Sequence, residues 1–217
     1  LGNDLTVVNS ARVSFGKRKS TWSASDRRLC KYLAKHKHYS PFRHLQVQFH
    51  IKAPEFVMRQ WYKHVVGIEP TSNSSTKDHA WNEISGRYVE YDEFYQPEIY
   101  RKQSKDNKQA SEGQFVDDEH NLANTNWRQA HAMSLTAYKQ LIEMGMAKEQ
   151  ARCILPLTLY TEVYWTASFQ SVMNFIELRN EKTAQIEIQE YAKSLLDSMS
   201  EAFPKTTKIW SEAHGWL

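Results

Sequence analysis

The sequence predicts an α+β fold, with helices packed on a small, mainly antiparallel sheet in a single domain over residues 1–217. Three observations lead there. Leu45, Val47, Phe49 and Ile51 alternate strictly with His44, Gln46, Gln48 and His50, the period of a strand with one apolar face. Ala130, Met133, Ala137, Leu141 and Met144 recur at the spacing of an amphipathic helix. Strands and helices nowhere alternate as βαβ units, and neither an internal repeat nor a clean linker divides the chain.

Taken in order, Ser25 to His36 reads as a helix, with Ser25 as N-cap and Leu29, Tyr32, Leu33 and His36 at helical spacing. After the alternating strand, Pro54 fits a first helical turn, and Phe56, Val57, Gln60, Trp61 and His64 continue a short helix. Residues 66–80 are rich in Gly, Pro, Ser, Thr and Asn and read as a surface loop. A second polar stretch, 96–126, holds few apolar residues; it is expected to be a mobile excursion or to be ordered by another chain. Trp127 to Met144 is the amphipathic helix, with Gly145 as its C′ residue. Ala147 to Ile154 reads as a further helix stopped near Pro156, and Leu157 to Ser168 as a strand rich in Thr, Tyr, Val and Trp. Gln170 to Leu178 and Ala184 to Phe203 return to helical spacing, and Pro204 closes the second.

Composition removes several function classes. Lys and Arg number 28 against 25 Asp and Glu, a formal charge of +3, well short of a dedicated nucleic-acid or membrane-surface protein, so neither partner is expected. No apolar run approaches the ~18 residues of a spanning helix. The chain opens Leu1-Gly2-Asn3-Asp4, without Met and without the charged and apolar regions of a secretory signal. Its 7 glycines are too scattered for a GxGxxG or Walker A loop. With 2 cysteines, Cys30 and Cys153, no disulfide framework and no metal site is expected, and a reducing, cytoplasmic setting fits.

Two clusters could carry chemistry. Arg59-Gln60-Trp61-Tyr62-Lys63-His64 and Trp81-Asn82-Glu83-Ile84-Ser85-Gly86-Arg87-Tyr88 gather cations, amides, a carboxylate, a hydroxyl and a glycine. Gly86 can let backbone N–H groups approach an anion, and Arg87 can grip phosphate oxygens in a bidentate fork. Read by composition alone, this is a solvated helix end with surface ion pairs. Downstream, Arg152 lies in an otherwise apolar segment, while Asn174 and Arg179 flank Phe175-Ile176. These arginines need carboxylates, a ligand anion or solvent; a structural salt bridge to Glu177 or Glu187 is the plain alternative.

The same residues resemble the flavin-dependent thymidylate synthases. The likeness rests on Arg59-Gln60-Trp61, Asn82-Glu83-x-Ser85-Gly86-Arg87-Tyr88, Ala151-Arg152-x-Ile154-Leu155-Pro156-Leu157 and Met173-Asn174-Phe175-x-x-Leu178-Arg179. Ala11-Arg12-Val13-Ser14-Phe15, His36-x-His38-x-Ser40-Pro41-Phe42-x-His44 and Ala184-Gln185-x-Glu187-Ile188-Gln189 agree as well, in order from about Asn3 to about Phe203. The resemblance implies reductive methylation of dUMP to dTMP. Carbon comes from 5,10-methylenetetrahydrofolate and hydride from FAD reduced by NADPH, with no cysteine adduct. It also implies a homotetramer with shared active sites, the 96–126 stretch lying at the rim of the assembly.

Residue by residue, the resemblance places dUMP contacts at Gln60, Lys63, Glu83, Ile84, Ser85, Gly86, Arg87, Arg152 and Arg179. Arg87, Arg152 and the Ser85-Gly86 backbone suit the phosphate. Arg179 lies against the uracil, where a fixed cation stabilises the N3 anion and enriches C5. Ser85 has no histidine beside it in sequence and is assigned binding rather than covalent chemistry. FAD contacts fall on Ser40, Lys63, His64, Val65, Glu83, Ser168, Gln170 and Asn174, with His38 near the flavin and folate.

This chain departs from the family at Lys63-His64-Val65, where Arg-His-Arg is usual, at Ser168 and Gln170, where Asn and Arg are typical, and at Thr183, where His is common. Two positive charges are lost, which predicts weaker or reoriented dinucleotide binding, with Lys77 or His79 as replacements. Two competing readings are a catalytically impaired nucleotide-binding homologue and a single-stranded nucleic-acid-binding module built on Trp61, Tyr62 and Trp81.

Overall fold

A computed structural model describes residues 1–64 and 81–216. Helices combine with a three-stranded sheet and a two-stranded sheet, the α+β class expected. The strands are β1 (Gln46–Pro54), β2 (Trp81–Glu83), β3 (Arg101–Gln103), β4 (Ser111–Gln114) and β5 (Tyr160–Ser168), in the orders β1-β5-β2 and β3-β4. The described residues fold as two compact units: 1–49, 64, 81 and 165–216 form the first, and 50–63 and 82–164 the second.

In the first unit, α1 (Asp4–Arg12) is opened by Asn3, whose side chain accepts the Leu5 N–H while Thr6 Oγ1 accepts the Asn3 N–H. The next helix, α2 (Ala24–Lys35), starts from Ser23 rather than Ser25. The reason is Asp26: at the third helical position its carboxylate accepts the Ser23 N–H at 2.7 Å and completes a capping box. It buries Cys30, Leu33 and Ala34 and leaves Tyr32 largely exposed. Phe169 N–H donates to Leu45 C=O at 2.9 Å where β5 passes into α6 (Phe169–Arg179).

After α7 (Ile186–Ala202), Pro204 does not simply close a helix. It occupies the first turn of another, α8 (Pro204–His214). The α8 N-terminus is satisfied from α1: Asp4 Oδ1 accepts the Thr206 N–H and hydroxyl, both at 2.7 Å. Trp210 of α8 is fully buried, edge-on to Phe42 at 5.0 Å and Phe169 at 5.6 Å. These aromatic contacts centre the unit's core.

In the second unit, Pro54 ends β1 in an extended conformation and caps α3 (Glu55–Trp61) from outside its first turn. Glu55 N–H donates to Leu159 C=O at 2.9 Å, and Val57, Met58 and Trp61 are buried. The polar 96–126 stretch is not structureless: β3 and β4 pair antiparallel within it, and α4 (Asp117–Glu143) starts ten residues before Trp127. Asp117, Asp118 and Glu119 in its first turn suit the positive end of the helix dipole.

The expected apolar side of α4 is also corrected. Tyr138 is its buried residue, with Trp127, His131 and Leu135 half-buried; Met133 and Met144 are 74% and 81% exposed. Gly145 does end it in the left-handed region (φ +85°), with Met146 N–H returning to Leu141 C=O at 3.0 Å. The expected 147–154 helix is α5 (Lys148–Ala151) followed by a 3-10 turn at Arg152–Ile154, and the β5 strand starts at Tyr160 because 156–159 form a turn. Among the described residues no helix is long and apolar enough to cross a membrane.

Candidate functional site

In the second unit the Glu83–Arg87 segment is held from both sides. Glu83 accepts a 2.6 Å hydrogen bond from the buried Thr161 hydroxyl, and Ile84 N–H donates to Glu162 C=O at 2.9 Å. Ile84 C=O accepts the Tyr91 hydroxyl at 3.0 Å. Ser85 C=O accepts from Tyr88 N–H at 2.9 Å and Val89 N–H at 3.1 Å, which turns the chain.

Gly86 is buried inside that turn. A Cβ there would meet Tyr91 Cε2 at 2.5 Å and Arg152 Cδ at 3.1 Å, so only glycine allows the ring and the arginine stem to lie this close. Arg152, first residue of the 3-10 turn, is therefore beside Gly86, and both Arg152 and Arg87 expose their charge. The Arg87 guanidinium lies 5.6 Å over the Tyr88 ring. Cations beside a tight backbone turn are the kind of donors that suit an anion such as phosphate.

Ser85 Oγ accepts from the Arg87 N–H at 3.4 Å, and among the described residues no histidine is bonded to it. Gln60 is half-buried on α3 and Lys63 is exposed just beyond it.

Around this turn sequence reasoning named Tyr62 only within a cluster and missed Glu55 and Tyr91. Burial, then the negative charge of Glu83, pushes the Tyr91 and Tyr62 hydroxyls above the ordinary tyrosine range. Burial and the same Glu83 raise Glu55 above the usual carboxylate range. Glu55, Tyr62 and Tyr91 thus all feel the negative charge of Glu83. Tyr91 lies only five residues past Gly86, but no local spacing distinguishes it from an ordinary loop aromatic.

In the first unit, the Arg179 Nε–H donates to His64 Nε2 at 2.9 Å, and the His64 ring meets Phe175 edge-on at 4.9 Å. Burial and the Arg179 charge depress His64 to about 4. Asn174 is half-buried on α6. Ser168 is 1% exposed and its hydroxyl caps α6 by accepting the Ser171 N–H at 3.2 Å. Gln170 is 4% exposed, its Oε1 accepting from Arg43 Nε at 2.7 Å.

Ser40 and His38 are exposed, the latter stacked on Tyr32 at 5.9 Å rather than in the core. Val65, Lys77 and His79 lie outside the described residues. Among the described residues no group of three or more His, Cys, Asp or Glu could hold a metal ion.

Arg43, in the 3-10 turn Ser40–His44, reaches Gln170. Ser40 shares that turn, and Asn174 lies one helical turn beyond Gln170 on α6. Arg43 lies at the unspecified position of the His36-to-His44 motif, which is why pattern matching passed over it.

The thymidylate synthase complementing protein family matches residues 1–205 of this chain. A flavin-dependent thymidylate synthase of Thermus thermophilus is 42% identical over 213 residues, 98% of this chain and 73% of that protein. Another from Kosmotoga olearia is 41% identical over 210 residues, 95% of this chain and 84% of that one. Among solved structures, the UMP/dUMP methylase PolB of Streptomyces cacaoi bound with 5-Br dUMP is similar, with a TM-score of 0.82 at 27% identity, covering 98% of this chain and 91% of that one.

Proposed function

This chain belongs to the thymidylate synthase complementing protein family, and from that premise we propose that it is a flavin-dependent thymidylate synthase making dTMP from dUMP. The observation that carries the reading is the buried Gly86 turn with Arg152 packed on it and Arg87 beside it. A nucleoside monophosphate supplies the dianion this turn suits.

Arg87, Arg152 and the Ser85-Gly86 backbone hold the phosphate. Gln60, Lys63, Glu83 and Ile84 line the nucleotide, with Glu83 fixed by Thr161. Arg179 lies against the uracil and stabilises negative charge on the ring, so that C5 attacks the methylene carbon of 5,10-methylenetetrahydrofolate.

Ser40, Lys63, His64, Val65, Glu83 and Asn174 would hold FAD, which once reduced by NADPH would supply the hydride. Arg43, braced by Gln170, replaces a guanidinium missing from this pocket, and Ser168 supports it by fixing the start of α6. His38 lies on the flavin and folate side.

The protein works in the cytoplasm as a homotetramer with shared active sites. Leu122 and Met133 of α4 and Met144 at its end, all exposed, support burial against further copies. The test is anaerobic incubation of the protein with FAD, NADPH, methylenetetrahydrofolate and dUMP. Formation of dTMP that stops when any one is left out is the expected result; no dTMP from the complete mixture overturns the reading.

A further inference from the structure

We propose that His64 is a positioning residue for Arg179, accepting its Nε–H and thereby fixing the plane in which the guanidinium meets the pyrimidine. The inference rests on the reading above that Arg179 contacts the base.

A guanidinium nitrogen can only donate, so the 2.9 Å contact requires His64 Nε2 to accept. The imidazole is then neutral with its proton on Nδ1. Its low pKa, about 4, agrees with that state near neutral pH.

The ring cannot easily turn away. Phe175, fully buried, meets it edge-on at 4.9 Å and packs in turn against Trp165 at 6.1 Å, while Trp165 stacks on Trp81 at 5.3 Å. A run of packed aromatic rings thus fixes the acceptor, and the acceptor fixes the donor. Arg179 is the last residue of α6, where the helix dipole favours a cation but sets no direction for its long side chain.

A His64 that is purely structural, or that serves the flavin alone, gives different results from one that also positions Arg179. The full-length, FAD-loaded protein is compared with His64→Phe, which keeps a flat ring without an acceptor, and His64→Gln, which returns an acceptor oxygen. At saturating FAD, His64→Phe is expected to weaken dUMP affinity about tenfold, in line with the loss of a hydrogen bond to a charged group. His64→Gln should recover most of that loss. In an Arg179→Ala background, His64→Phe should change dUMP affinity less than about twofold, because the two residues act as one unit.

Unchanged dUMP affinity in His64→Phe, equal damage in both variants, or additive effects with Arg179→Ala overturns the inference while the functional reading stands. Wild-type protein that does not bind dUMP overturns both. Where His64→Phe does not fold, imidazole nitrogen shifts in the wild type decide: a bare Nε2 with a protonated Nδ1 supports the proposal, and a protonated Nε2 overturns it.

Discussion

Asp26 is a buried carboxylate that stays charged. Burial alone would raise its pKa, but two hydrogen bonds from Ser23 and the contact with Arg12 outweigh it and bring it down to about 2. Its folded value lies below the unfolded one, so its stabilisation is present above the ordinary aspartate range and is lost as pH falls from about 4 towards 2. Asp26→Ala leaves Arg12 unpaired in a mostly buried position and should cost about 3 kcal/mol, read by urea unfolding at pH 7, with a smaller difference near pH 2. Gly86→Ala belongs to the same scale. Its methyl group must displace Tyr91 and Arg152, so dUMP affinity should fall at least about tenfold by calorimetry while helix content by circular dichroism is unchanged. At this scale the sequence revealed which polar residues needed partners but not who the partners were. Arg12 was visible only as part of a motif, and its carboxylate is 14 positions away on another helix. His64 and Arg179 are 115 positions apart, and no periodicity joins them.

Among the elements, α8 shows why local pattern failed where it did. Pro204 is a legitimate stop for α7 and an equally legitimate first residue for α8, and the acceptor that stabilises the new start is Asp4, some 200 residues earlier. Asp4→Ala should therefore destabilise the protein by about 1 kcal/mol as a lost cap, measured by thermal or urea unfolding. Trp210→Ala, at the centre of the same aromatic cluster, should cost about 4 kcal/mol. The β1 alternation was legible because Val47, Phe49, Ile51 and Ala53 are half-buried or buried while Gln48, His50 and Lys52 are exposed, and the Gly145 stop because glycine reports a left-handed residue directly. The α4 face was not, since methionines at helical spacing satisfy the pattern whether or not anything in the same chain covers them. Likewise the β3–β4 hairpin carries almost no apolar signal: every residue of β4 is exposed, and its pairing rests on backbone hydrogen bonds that composition does not encode.

For the whole molecule, those exposed methionines become a statement about assembly. Met133→Glu combined with Met144→Glu should lower the mass measured by light scattering below that of a tetramer, and an unchanged mass would remove α4 from the interface. The account as a whole depends on Arg87, Arg152 and Arg179 serving one nucleotide. The most direct measurement is a crystal structure with dUMP and FAD bound. It should show the phosphate within hydrogen-bond distance of Arg87 and Arg152 and the uracil against Arg179. A phosphate bound away from the Gly86 turn, or a uracil with no contact to Arg179 from any protomer, would contradict it.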